Sequence, residues 1–255
     1  MLGPLLTSAC GDSRNADPDA PTGPPDARQY NCECTFANPD KFAIPGCEQA
    51  MMLAVRHQDG ILMQQADVER FHRLVDAVNR AEPGTTGAYP NRQYAGSSMP
   101  VYSTYEPLVS AWSQGTLLTG EALIDAAFAA NATGVVYDGY LAQLQIHQFR
   151  VEFPTLASFV ALDQVVEQIP ETWPGEYEFY DVNTTIYAES LSEPVQLFFR
   201  AGWGVDCQVG CPDTHAWRAT VTDDLEVSVT DLGGDPVPPV DIDINEYFAR
   251  CPAKQ

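Results

Sequence analysis

The residues best equipped for chemistry sit in one stretch, Phe198 to Val229. There Cys207, Cys211, His215 and Trp217 follow a Gly202-Trp203-Gly204 turn. A thiol four residues ahead of an imidazole is the raw material of a cysteine nucleophile, since the thiolate attacks and a neighbouring imidazole stabilises it. The same two cysteines lie at i and i+4 across a turn, where Cα atoms about 6 Å apart suit a disulfide. The two chemistries exclude one another, because a bridged sulfur has no proton to lose. The spacing favours the Cys207–Cys211 disulfide, leaving His215 and Trp217 on one strand face as candidates for binding rather than catalysis.

The remaining cysteines bring the total to seven, an odd number that in a secreted chain needs its own explanation. Cys10 supplies one. Met1–Ala9 (MLGPLLTSA) is apolar and ends in small residues. LLTSAC resembles a bacterial lipobox, in which a signal peptide is removed just before a cysteine that then takes lipid. Thr7 stands where that pattern prefers Leu, and the run is short and lacks a basic residue; translation from further upstream would account for both. With Cys10 lipidated, the six others form three disulfides in an oxidising compartment. Cys32 and Cys34 project to the same side of an extended strand, so one is expected to pair with Cys47 and the other with Cys251, in either order. Cys32, Cys34 and Cys47 match no zinc-ligand spacing. Asp241–Asn245 (DIDIN) opens like a calcium loop but has Glu246 where Gly is needed and Pro252 where Glu is needed. No metal or cofactor is expected.

Other catalytic patterns are missing. There is no G-x-S-x-G, P-loop, dinucleotide fingerprint or H-E-x-x-H. A hydrolase would have to assemble its site from scattered groups such as His57, His147, Asp163 and Glu167. Thirteen Lys and Arg against 35 Asp and Glu give a net charge of −22. A field of that sign repels nucleic acid and anionic headgroups, so neither is an expected partner. No apolar run reaches the roughly 18 residues of a membrane-spanning helix, so lipid on Cys10 is the one membrane attachment expected.

These groups need elements to position them. Residues 1–9 read as a signal-peptide remnant and 10–31 as a lipidated cysteine with a tether. Gly11–Asn31, rich in Pro and Asp, is too poor in apolar residues to offset its ordering entropy. The folded body is expected as two α+β parts, 32–153 and 154–255. In the first, Cys47–Met63 reads as an apolar hairpin broken at Asp59-Gly60. A helix capped by Asp67 follows, with Val68, Phe71, Leu74, Val75 and Val78 inward and His72 on the solvent side. Thr85–Pro107 reads as a long irregular loop. Tyr89, Tyr94, Tyr102 and Tyr105 lie there among small polar residues, as in binding loops. Thr119 is expected to cap a second helix through Ala130. Tyr140–Phe153 is either a strand bulged near His147 or a helix ending near Gln148. Pro154 opens a third helix. The runs around Tyr177–Tyr180, Thr184–Ala188, Val195–Arg200, Ala216–Val221 and Leu225–Thr230 make an antiparallel meander, covered by that helix.

The segment GWGVDCQVGCPDTHAW, with its flanking alternating runs, resembles a motif of uncharacterised bacterial secreted proteins and lipoproteins, roughly GWGDC, two residues, GC, then His-x-Trp. Val205 is an insertion relative to it. The resemblance spans the C-terminal third and implies secretion and a β-rich C-terminal unit, with no activity attached. The expectation is a non-catalytic cell-envelope lipoprotein whose disulfide-stapled body binds a protein or small molecule. The alternatives are a secreted hydrolase and a secreted enzyme inhibitor. The oligomeric state is left open.

Overall fold

In chain order, the computed structural model contains helices α1 (Cys47–His57) and α2 (Gln65–Ala81), then strand β1 (Ala95–Ser103) and helix α3 (Glu106–Trp112). Helix α4 (Ala122–Ile124) runs on into a π-helical turn, Asp125–Ala129. Next come β2 (Gly134–Leu141), β3 (Ile146–Ser158), α5 (Phe159–Val166) and β4 (Thr172–Pro174). The chain ends in β5 (Thr185–Ser190), β6 (Val195–Trp203), β7 (Asp213–Val221) and β8 (Val227–Gly234). The structure describes residues 32–38, 44–58, 60–88, 95–175, 185–204 and 211–238, with Phe248 and Cys251. Cys10, the tether, Asp59, Tyr89, Tyr94, Tyr177–Tyr180, Cys207 and Asp241–Asn245 lie outside them.

The fold is α+β, with two antiparallel four-stranded sheets ordered β2-β3-β1-β4 and β5-β6-β7-β8. The second is the expected meander. Val195, Leu197, Phe199 and Ala201 alternate inward along β6, as Trp217, Ala219 and Val221 do along β7. Its cover differs from expectation. Helices α1 and α2, from the opposite end of the chain, form one core with this sheet. The third helix, α5, instead packs with α3 and α4 against the first sheet. Nor does it open at Pro154, which lies in β3. Ser158 caps it, its Oγ accepting from Ala161 N–H at 3.1 Å. The boundary expected at 153/154 falls inside β3.

Cys47–His57 is a helix and not the first arm of a hairpin. A short continuous apolar run fits a buried helix as well as a buried strand. Here Ala50, Met51, Met52, Leu53 and Ala54, mostly strong helix formers, are buried together. Gly46 precedes it at φ +82°, so close to Val75 of α2 that a Cβ would clash. In α2 the expected stripe is inward. Asp67, however, lies within the first turn and caps nothing; Gln64 is the N-cap. His72 is buried, not solvated, with Nε2 3.3 Å from the Pro45 carbonyl. The segment before α1 covers that side of α2, which helical periodicity alone does not foresee.

The first sheet brings the largest correction. Ala95–Ser103, expected within a loop, is β1, flanked by β3 and β4. Met99, Val101 and Ser103 face the core. Pro100 is tolerated because the N–H and C=O of an extended residue point to the same side. Its carbonyl accepts from Gly175 N–H at 2.8 Å, on the short β4 side, so the missing N–H leaves the β1–β3 pairing intact. The phase slip in Tyr140–Phe153 is a hairpin turn between β2 and β3, neither a bulge at His147 nor a helix. A register shift sits instead in β2, between Tyr137 and Gly139. Before α4, Thr119 does accept from Glu121 N–H (3.1 Å), although Glu121 is the N-cap residue. Asp125 reaches back to Thr119 N–H (2.7 Å) and Gly120 N–H (3.1 Å), bonds that hold its carboxyl below its ordinary pKa.

Two disulfides are defined. Cys32 takes Cys251 across 219 residues and Cys34 takes Cys47 across 13, so the open pairing is resolved. Arg80 strengthens the first closure, donating to the Cys251 carbonyl at 2.9 Å while ion-paired with buried Asp76 at 2.8 Å.

Candidate functional site

The Cys–His arrangement is not a nucleophile. Cys211 is disulfide-bonded and has no thiolate to offer; Cys207 lies outside the described residues. His215 places Nδ1 2.8 Å from the Asp235 carbonyl and Nε2 2.8 Å from Asp231 Oδ1. Both partners are acceptors, so the two ring nitrogens are each engaged by the protein itself. The Gly233 N–H and His215 draw the Asp231 carboxyl below its ordinary pKa. Beside it, at 4.6 Å between ring centroids, Trp217 is buried against Gly84. His215 and Trp217 thus clasp β7 to β8 and roof the second core.

The scattered hydrolase candidates do not converge. His57 ends α1 beside Phe71, its pKa lowered by burial and then by Arg56 and Arg70. His147, on β3, is 3.0 Å from the Tyr137 hydroxyl through Nδ1. Asp163 lies on α5 and Glu167 is its C-cap, and burial first and Glu167 second push the Asp163 carboxyl up to about 6. Neither histidine hydrogen-bonds or ion-pairs with either carboxylate among the described residues.

Of the four tyrosines, the two within the described residues do not sit in one loop: Tyr102 is in β1 and Tyr105 is the N-cap of α3. Tyr105 packs against the first core, its hydroxyl pKa raised by desolvation and then by Glu121. Tyr102 lies on the side of β1 opposite Val101 and Ser103. A cleft of about 470 Å³ beside the Cys34–Cys47 bridge includes Glu33, Glu69, His72 and Arg73 in its lining. Gln65 accepts from Phe36 N–H and donates to both the Cys34 carbonyl and Glu69.

What the structure assembles is a bare sheet face. Tyr102 lies directly opposite Trp173 of β4 and Gln148 of β3, and Gln148 opposite Gly139 of β2. Directly paired residues share a face, so these form one row, about 15 Å across four strands at about 4.8 Å spacing. The next row holds Pro100, Arg150 and Val136, with Asp138 3.5 Å from Arg150. The helices of the first core lie on the opposite side, while on this side Val136, Arg150 and Trp173 are exposed and Pro100, Tyr102 and Gln148 half-buried. Trp173 is 48% exposed. Its indole N–H, the Tyr102 hydroxyl and the Gln148 amide have no hydrogen-bond partner among the described residues. The arrangement offers two aromatic rings and a mixed set of donors and acceptors on a hydrogen-bonded four-stranded support. Sequence reading found Tyr102 but missed Trp173, because a three-residue strand is too short to show alternation.

Comparison with known protein families, curated proteins and solved structures finds no match for this chain.

Proposed function

We propose that this protein is a non-catalytic lipoprotein of the bacterial cell envelope. Lipid on Cys10 holds it to a membrane, Gly11–Asn31 is the tether, and the disulfide-bonded body binds ligand on the outer face of the first sheet. The observation carrying this reading is Trp173, a large ring left half in solvent beside Tyr102, its N–H without a partner among the described residues. Aromatic rings on a rigid strand contribute large contact area at low entropic cost, and their polar ends still make directional bonds. Attachment needs more than one acyl chain, since a single chain anchors only marginally.

The test uses the full chain with Cys10→Ala, which releases it from membranes where the parent partitions with them. The released protein should co-sediment with purified cell-wall fractions, and Trp173→Ala should abolish this without changing the melting temperature. A released protein that does not sediment with them, or does so independently of Trp173, defeats the proposal.

A further inference from the structure

Resting on that reading of the face, we infer that its ligand is a neutral oligosaccharide stretch laid across β4, β1 and β3. The C–H-bearing face of a sugar ring is apolar, and its slightly positive hydrogens suit the negative π-faces of Trp173 and Tyr102. The rim of such a ring carries hydroxyls, each a donor and an acceptor. The matching groups are the Trp173 N–H, the Tyr102 hydroxyl and the Gln148 amide, which together offer both roles and carry no charge.

Charge and size exclude the main competitors. An anionic polymer would meet only Arg150, already beside Asp138, within the field of a chain of net charge −22. A protein partner needs roughly 800 Å² on each side. The rings and the amide that carry the proposal lie in one row about 15 Å long, far less than such an interface. That is the scale of a few sugar rings.

The experiment is affinity electrophoresis of the full Cys10→Ala chain in gels containing, in turn, a β-glucan, an α-glucan, a mannan, a xylan or glycol chitin, with dextran sulfate as the anionic control. At least one neutral glycan should retard the protein, with little change on adding salt. Trp173→Ala should weaken that retardation by at least about tenfold, and Trp173→Phe by less. No retardation by any of the five overturns the inference. So does retardation equal in Trp173→Ala, or retardation by dextran sulfate alone that fades with salt. Concentration-dependent self-association abolished by Trp173→Ala, without glycan binding, overturns it by assigning the face to a second copy. If co-sedimentation with cell-wall fractions still depends on Trp173 while every glycan fails, the binding face stands and the ligand class falls. If neither depends on Trp173, both fall.

Discussion

The two sheets present outer faces built from similar residues to opposite effect. On the second sheet, Tyr187, Phe198, Arg218 and Thr230 lie opposite one another in one row. Tyr187 and Phe198 stack on each other, with centroids 4.8 Å apart and planes 24° apart. Arg218 is gripped by both oxygens of Glu189, at 2.5 and 2.9 Å. The rings have used each other's faces, and the guanidinium fork is matched by a carboxylate fork. On the first sheet, Trp173, Tyr102 and Gln148 form the same kind of row, with no side-chain hydrogen-bond partner among the described residues. The difference is one of saturation rather than composition. An exposed aromatic residue alone says little, whereas one whose neighbours leave it unsatisfied marks a place for something else.

The contrast is broken hardest by comparing an inner ring with an outer one. Phe199 lies fully buried in the core formed with α1 and α2. Phe199→Ala should cost about 3–5 kcal/mol, the range for large aromatic truncations in cores. Trp173→Ala should stay within about 0.5 kcal/mol, as for surface positions. Urea denaturation of both variants checks this. A Trp173→Ala cost near that of Phe199→Ala would show that the first face is packed and not open.

Anchoring also separates the halves. Cys34, Cys47 and Cys251 belong to the core of the second sheet, and no cysteine among the described residues belongs to that of the first. Cys32→Ser with Cys251→Ser should therefore cost about 2–5 kcal/mol. The loss should appear first as faster hydrogen exchange in α2 and β8, with β1 and β3 following later. Simultaneous loss of protection in both sheets would show that the halves share one cooperative unit with no weaker side.

How much of this could be read beforehand follows the same division. The strands of the second sheet were legible because six to nine alternating residues make a period visible. The stripe of α2 was legible for the same reason. The first sheet was not. Gly96, Ser97, Ser98 and Pro100 carry the composition of a loop, and β1 becomes a strand only because β3 lies along it. The burial of His72 and the helical state of Cys47–His57 are likewise set by packing from remote segments. The cysteines narrowed the closures of the chain ends to two orders, while the order itself depends on coordinates. At the candidate site the sequence carried Tyr102, but the pairing that puts Trp173 and Gln148 beside it belongs to the sheet.

Support behind the first sheet is unsaturated as well. Asp163 of α5 has a buried Oδ1 with no hydrogen-bond partner among the described residues. Its carboxyl is raised to about 6 from 3.8, by burial first and Glu167 second. A carboxyl whose folded pKa lies above its unfolded value favours folding when protonated. Its contribution is full below about pH 3.8 and is lost as pH rises through about 6. Two units correspond to nearly 3 kcal/mol, but the group is only half-buried and solvent screening reduces this to about 1 kcal/mol. Asp163→Asn should thus raise the melting temperature at pH 7.5 and flatten its decline between pH 4 and 6. An unchanged decline in the variant would place the titrating group elsewhere.

The smallest effect is expected where the second face is most complete. Hydrogen bonds from Arg218 first, and its charge as well, hold the Glu189 carboxyl below its ordinary value of 4.5. A depressed carboxyl contributes stability that is full above the unfolded pKa and disappears as pH falls through the folded one. Glu189→Gln should therefore lower the melting temperature slightly at pH 7, and the difference from the parent should vanish on acidification. The pair is exposed, so added salt should shrink the difference too. The same variant sharpens the contrast between the faces. It releases Arg218 yet leaves Tyr187 and Phe198 stacked, so it should gain no retardation by the neutral glycans. Gained retardation would mean that the Arg218–Glu189 pair alone had closed the second face, and that ring stacking does not distinguish the two.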